Sequence, residues 1–247
     1  MERVNLKSKD IILDYNRIYS GPGIRANSAY YRWLARLFNL RQGAKLLDVS
    51  CGEGIFLKEA LKLSKLKAFG LDISDKAISI AKNNALGSSL VVADGQRVPF
   101  KDKSFDYLTC LGSLEHYIDQ ELGLKEMQRV AKDNATFYIL LPNSLSINLF
   151  LHVIKHGNKP PEDFQIIERT ATRNEWALFL EKNGLKVSKV YGSNLWPEFF
   201  KEGTRKVKSV PKYFERLLIK LFCPLNLSMD FIFVCKKSSS AASGEIN

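Results

Sequence analysis

The sequence predicts an α/β fold built on a mostly parallel sheet. Three observations carry that expectation. From residue 44 onward, short apolar runs alternate with helical patterns, the order that builds βα units. Asp48, Asp72 and Asp94 stand at the ends of the first three apolar runs, 24 and 22 residues apart. The first run also leads directly into a turn, Ser50-Cys51-Gly52-Glu53-Gly54, that precedes a helical pattern.

Taken in order, residues 44–49 read as a strand and residues 55–66 as a helix, with Ile55, Phe56, Ala60, Leu61 and Leu63 on a broad apolar face. Residues 67–71 form a second strand, after which Ser74 is expected to cap a helix over 75–86, where Ala77, Ile78, Ala81 and Ala85 recur at helical spacing. A short third strand spans 90–93, and after the turn-like residues 99–104 a fourth spans 105–111. A helix over 120–131 leads to a fifth strand, 136–141, stopped by Pro142. Residues 143–172 show no strand pattern, contain Lys159-Pro160-Pro161, and are expected to be an irregular or helical insertion that meets substrate. A helix over 173–183 is closed by Gly184 in the left-handed conformation; strands over 185–191 and 230–235 follow. In front of the core, residues 28–38 read as a helix.

A chain of 247 residues suffices for one large α/β domain with additions. The organisation expected is a helical cap over residues 1–43, the main domain over 44–237 with its insertion at about 143–172 and a basic segment at about 196–228, and a small, polar, disordered tail over 238–247. The apolar fraction of 45% supports an ordinary packed core. The opening residues carry no apolar run or small-residue cleavage site, and apolar stretches such as 137–141 are far shorter than the ~20 residues that span a bilayer, so a soluble, cytoplasmic protein is expected. The four cysteines lack paired zinc-type spacing and are read as free thiols. His152 and His156 lie four apart, but no third ligand is near in sequence, and no metal site is assigned.

Net charge is +11, and part of it is local. Residues 201–220 hold seven cations, Lys201, Arg205, Lys206, Lys208, Lys212, Arg216 and Lys220, against two glutamates. Such a run suits an anionic partner (nucleic acid, lipid headgroups or a phosphorylated substrate) or else is a solvated face. Residues 213–222 have apolar side chains at i, i+4 and i+8; beside the aromatic cluster at 196–200 they read either as core packing or as a helix lying against a membrane or lipid-like substrate.

The three aspartates point to chemistry. Ligands of open α/β sheets bind beyond the carboxyl ends of the strands, so these side chains are expected to converge on one crevice. Gly52 and Gly54 let backbone approach a ligand there, and a carboxylate ending the second strand suits ribose hydroxyls. The turn lacks the third glycine of G-x-G-x-x-G, and the sequence holds no G-x-x-x-x-G-K-[ST], which disfavours nicotinamide enzymes and P-loop NTPases.

Five ordered segments, residues 46–54, 70–74, 93–100, 104–107 and 114–116, give the chain its resemblance over roughly 44–141 to class I S-adenosylmethionine-dependent methyltransferases, in particular the broad group that includes the ubiquinone and menaquinone biosynthesis enzymes. The resemblance implies a Rossmann-like three-layer sandwich whose seven-stranded, mostly parallel sheet ends in an antiparallel strand. It implies S-adenosyl-L-methionine as cofactor, its methionine part held by Asp48, Ser50, Cys51, Gly52 and Gly54. On the same basis Asp72 binds the ribose, Ile73 packs on adenine, Asp94 accepts from the adenine amino group, and Gly95 contacts the ring edge. Leu111 and Gly112 line the sulfonium end. Two departures stand out: Ser50 replaces the usual first glycine, and Lys132-Asp133-Asn134-Ala135 replaces the usual Lys-Pro-Gly-Gly.

The reaction so implied is an in-line displacement on an unknown acceptor, small or lipid-linked, in which His116 is the candidate general base or else a structural histidine bonded to a backbone carbonyl. Glu115 carries the same ambiguity. Tyr15, Tyr19, Tyr30, Tyr31 and Trp33 precede the core where related enzymes carry a lid; the alternative for the last three is a helix packed on the sheet. Two further readings stay open: an RNA methyltransferase, prompted by the charge, and a non-catalytic S-adenosylmethionine-binding interaction protein.

Overall fold

The computed structural model describes residues 8–21, 28–158, 167–194 and 223–238. The basic run at 201–220, the clusters at 196–200 and 213–222, Lys159-Pro160-Pro161 and the tail beyond Ser238 lie outside them. Seven strands form one sheet: β1 (Lys45–Val49), β2 (Lys67–Asp72), β3 (Ser89–Val92), β4 (Phe105–Leu111), β5 (Ala131–Pro142), β6 (Leu185–Ser193) and β7 (Asp230–Lys237). Their order is β3-β2-β1-β4-β5-β7-β6. The pairs from β3 to β5 are parallel, and β7 runs antiparallel to both its neighbours. This is the sheet the resemblance implies. The order reverses between β1 and β4, so a crevice opens at the carboxyl ends there.

Strand residues alternate between two layers of core. Leu47, Val49, Phe137, Ile139, Phe231 and Phe233 face one layer, with helix α5 (Gln120–Val130) and helix α7 (Arg173–Lys182) packed on it through Leu124, Met127, Trp176 and Leu180. Leu46, Ala68, Tyr138, Leu140 and Ile232 face the other. There helix α2 (Ser28–Phe38) contributes Tyr31, Leu34, Ala35 and Phe38, one face at i, i+3, i+4 and i+7, and helix α3 (Ile55–Leu63) contributes Phe56, Leu57 and Ala60. The Phe38 and Tyr138 rings stack with centroids 4.0 Å apart, and the Tyr138 hydroxyl donates to the Phe38 carbonyl at 2.8 Å. Tyr30 and Trp33 pack against this layer as well, the helix reading rather than a lid. Buried Glu59 on α3 accepts from Arg32 Nε and Lys62 Nζ, both at 2.7 Å, which ties α2 to α3 without leaving a bare charge inside.

Element ends follow local chemistry. Ser74 caps helix α4 (Asp75–Asn84) by accepting from Ala77 N, as its hydroxyl predicts, although the helix ends two residues short of residue 86. Asp119 caps α5, Ser146 caps helix α6 (Ile147–His156), and Thr172 with Glu175 forms a reciprocal capping box on α7. Gly184 follows α7 at φ +82°, the left-handed residue expected there.

Two bounds shift by three residues or more. Helix α3 stops at Leu63 rather than 66, because Ser64 turns to extended backbone and its N–H closes the last turn on Ala60 O. The fifth strand begins five residues early, at Ala131: between the pairs Phe105↔Ala131 and Tyr107↔Thr136 the register slips, and residues 132–135 form a bulge. Ion pairs hold this bulge where the related enzymes place Pro-Gly-Gly. Lys132 Nζ lies 2.8 Å from Asp106 Oδ1, and Asp133 Oδ2 lies 2.9 Å from Lys103 Nζ.

The insertion after β5 is helical at α6 and returns through a single bridge, Asn143↔Ala171. The His152 and His156 rings on α6 stand 4.6 Å apart, and among the described residues no group of three or more ligating side chains surrounds them. All four cysteines are free thiols. Among the described residues no helix is long and apolar enough to cross a membrane.

Asp230 begins β7 beside Pro142 of β5 and Ser193 of β6. Burial raises its carboxyl to about 7. An acid raised in the fold keeps a proton that the unfolded chain has already released, so stability is full below the unfolded value near 4 and falls as pH rises toward about 7. Asp230→Asn is therefore expected to melt with wild type at pH 4 but about 4–8 °C above it at pH 8, roughly 2 kcal/mol, discounted because the side chain keeps some solvent contact. Parallel melting curves at both pH values would contradict this.

Candidate functional site

The loop after β1 is shaped by three left-handed residues, Ser50 (φ +59°), Gly52 (φ +55°) and Gly54 (φ +74°). Two main-chain bonds fasten it, Cys51 N to Leu71 O at 2.8 Å and Gly54 N to Cys51 O at 3.0 Å. Gly54 faces α4 so closely that a Cβ would meet the Ala81 Cβ at 3.0 Å. Glycine there serves helix packing as well as the turn angle.

Asp72 organises the loop from the neighbouring strand. Its Oδ2 accepts from Gly52 N at 2.8 Å and its Oδ1 from Ser74 N at 2.9 Å, so one carboxylate holds both the loop after β1 and the start of α4. Asp94 turns the chain after β3 by accepting from Gln96 N at 2.8 Å.

A cavity of about 80 Å³, partly open to solvent, lies over these groups. Ser50, Asp72, Ile73, Asp94, Gly95, Gly112 and His116 line it, so seven of the twelve expected site residues come together. The other five do not line it. Asp48 is 1% exposed and accepts from Thr109 Oγ1 at 2.6 Å, Cys51 and Leu111 pack in the core, and Gly52 and Gly54 act through the loop backbone. For Asp48, the bond to Thr109 makes the carboxylate a strut between β1 and β4.

The roof is helix α1 (Ser8–Tyr19), within the expected helical cap, whose helix bounds the sequence pattern does not give. Its Ile11, Tyr15 and Tyr19 line the cavity, and Ser74 Oγ donates to Asn16 Oδ1 at 2.6 Å, pinning the roof to the cap of α4.

One wall is formed by a 3₁₀ turn, Leu114–His116, and the residues after it. Tyr117 and Ile118 line the cavity there, and neither was singled out in the sequence. The Tyr117 hydroxyl lies 2.8 Å from Ser50 Oγ. Burial holds this phenol well above its ordinary range, so it stays protonated. His116 Nδ1 contacts the Ile167 carbonyl, and its Nε2 lies 3.6 Å from Glu115 Oε1. Arg169, near the end of the insertion, donates through Nη1 to the carbonyls of Glu115 (3.1 Å) and Tyr117 (2.6 Å). The insertion therefore returns to brace the site, through an arginine that no local pattern marks.

Two carboxylates, two glycines and an apolar Ile73 around one crevice fit a nucleoside joined to an amino acid. Carboxylates accept hydroxyl and amino donors, and glycine backbone admits close approach. Fold and site together resemble those of class I S-adenosylmethionine-dependent methyltransferase domains. Residues 47–139 match the methyltransferase domain family. Among curated proteins the chain is 30% identical over 158 residues to a demethylmenaquinone methyltransferase of Staphylococcus epidermidis, a match covering 62% of this chain and 65% of that protein. It is 37% identical over 120 residues to an uncharacterized protein of Methanocaldococcus jannaschii, covering 48% and 45%. Among solved structures it resembles the Burkholderia thailandensis 1,6-didemethyltoxoflavin-N1-methyltransferase with S-adenosylhomocysteine bound, at TM-score 0.64, 12% identity and coverage of 97% and 94%. A putative methyltransferase of Bacillus halodurans gives TM-score 0.59, 15% identity and coverage of 87% and 100%.

Proposed function

We propose that this protein transfers the methyl group of S-adenosylmethionine to a small or lipid-linked acceptor. The observation that carries the reading is the convergence of Ser50, Asp72, Ile73, Asp94, Gly95 and Gly112 on one cavity roofed by α1. When bound, the sulfonium supplies an activated methyl with a good leaving group, so the protein has mainly to hold the acceptor in line, an effect worth up to ~7–11 kcal/mol in well-oriented systems.

In this reading Asp72 takes the ribose hydroxyls, Asp94 the adenine amino group, and Gly112 leaves room at the sulfonium end. Tyr15 and Tyr19 exclude water from above. The lipid-linked option draws support from the Staphylococcus relative, whose name states a quinone substrate, and from Ile11 and Ile118 at the cavity wall.

His116 is the proposed general base. A ring N–H at Nδ1 donated to the Ile167 carbonyl leaves Nε2 as the basic nitrogen, with Glu115 beside it to steady the charge that forms. His116→Gln is expected to lower kcat by about a hundredfold at neutral pH and to erase the acid limb of its pH profile. An unchanged profile would assign His116 to scaffolding alone.

The function is tested by titrating the protein with S-adenosylmethionine and S-adenosylhomocysteine in a calorimeter. Cell extract is then incubated with methyl-labelled cofactor and sorted into lipid, RNA, protein and small-molecule fractions. Binding of both ligands with label in the lipid or small-molecule fraction is the expected result. Label in RNA would move the acceptor class, binding without transfer would leave an interaction protein, and no binding would sink the proposal.

A further inference from the structure

The residue that joins the two halves of the cavity is Tyr117. Its ring is held between two glycines: a Cβ on Gly95 would lie 2.0 Å from the Tyr117 hydroxyl oxygen, and a Cβ on Gly123, in α5, would lie 2.5 Å from Cδ2. No side chain fits at either position while the ring stays in place. Its carbonyl is held at 2.6 Å by Arg169 Nη1, and its hydroxyl reaches Ser50 Oγ at 2.8 Å. The ring thus runs from α5 at Gly123 to a hydroxyl end where the Asp94–Gly95 side of the cavity and the loop after β1 meet, and it lines the cavity itself.

A second observation comes from Ser50. It holds φ +59°, a region that costs a residue with a Cβ roughly 1–2 kcal/mol and costs glycine little. Glycine is the usual residue at this position of the related turns, so the serine needs a use that offsets its strain. The hydroxyl it brings is bonded to Tyr117. The unusual residue in the turn and the tyrosine across the cleft explain each other.

We infer that Tyr117 is a positioning residue: a strut that, through Ser50, sets the distance between the loop that receives the methionine part of the cofactor and the Asp94–Gly95 wall that receives its adenine. The inference rests on the proposed cofactor. Without the strut the loop relaxes from the spacing the ligand requires, and ligand binding must draw it back. The penalty falls on affinity for the cofactor and leaves the methyl-transfer step alone.

The test is a double-mutant cycle on the full chain with Tyr117→Phe, Ser50→Gly and the double variant. S-adenosylhomocysteine binding is measured by calorimetry, unliganded melting by circular dichroism, and KM for S-adenosylmethionine separately from kcat. Tyr117→Phe keeps the ring that fills the space between the glycines, and Ser50→Gly relieves backbone strain, so both variants are expected to fold. Each single variant is expected to bind about tenfold more weakly, equivalent to about 1.4 kcal/mol, and the double variant no more weakly than either. KM should rise about tenfold with kcat held. Wild-type affinity in Tyr117→Phe, a hundredfold additive loss in the double variant, or a loss confined to kcat would overturn the strut while leaving the proposed function intact. A wild-type chain that binds neither S-adenosylmethionine nor S-adenosylhomocysteine would overturn both.

Discussion

Asp72→Ala is expected to weaken S-adenosylhomocysteine binding by at least about 100-fold, read by calorimetry, with the variant still folded. Two losses combine in that figure. The side chain takes the ribose hydroxyls in the proposed complex, and charge-assisted hydrogen bonds of this kind are worth about 1.5–3 kcal/mol. The same carboxylate holds Gly52 N at 2.8 Å and Ser74 N at 2.9 Å, so its removal frees the loop after β1 and the first turn of α4 together. Asp72→Asn separates the contributions. An amide keeps one oxygen in nearly the same place, so it should preserve part of the loop geometry and bind between wild type and Asp72→Ala. Affinity within threefold of wild type in the alanine variant would remove Asp72 from the site.

The second large effect concerns stability. Arg129→Met is expected to lower the unfolding free energy by about 3 kcal/mol, measured by denaturant titration. Arg129 on α5 donates to the carbonyls of Val98 (2.8 Å) and Phe100 (2.9 Å), reaches Asp102 Oδ1 at 2.7 Å, and pairs with Glu126 through Nε at 2.7 Å. Glu126 in turn accepts from Val98 N at 2.9 Å, so the segment between β3 and β4 is fixed to α5 at four points. Methionine keeps the apolar stem and removes every donor, which leaves Glu126 without its main partner and the carbonyls without theirs. Arg129→Lys should recover little, because one ammonium cannot reproduce the planar fork. Because this segment carries Asp94 and Gly95, the variant should also bind S-adenosylhomocysteine more weakly once partly unfolded protein is accounted for. A loss below about 1 kcal/mol would show that the segment is held by packing instead.

The fold was largely legible because its signals are local. Ser74, with its hydroxyl ahead of a run of small apolar residues at helical spacing, announces the start of α4, and Gly184 announces the end of α7. Strand β4 matches its expected bounds for the same reason, being an apolar run set off by polar residues. Strand β5 did not. Polar Lys132, Asp133 and Asn134 look like a turn, yet their ion pairs to Asp106 and Lys103 hold them in the strand, and those partners lie about 25–30 residues away. Helix α1 falls within the expected helical cap, but its mixed pattern gives no bounds; it gains definition by roofing a cavity that exists only after the sheet has formed.

By itself, the sequence determined where the three aspartates and the glycine-containing turn fall relative to the strands. Periodicity and turn chemistry act over a few residues, and strand topology then delivers strand ends to one edge of the sheet. Tertiary structure alone decided which groups those residues meet there. Asp48 accepts from Thr109 Oγ1 because the register of β1 against β4 sets the two side chains together. His116 meets the Ile167 carbonyl and Ser50 meets Tyr117 across 51 and 67 residues of chain. Such contacts depend on how separate elements dock, and no local spacing encodes them.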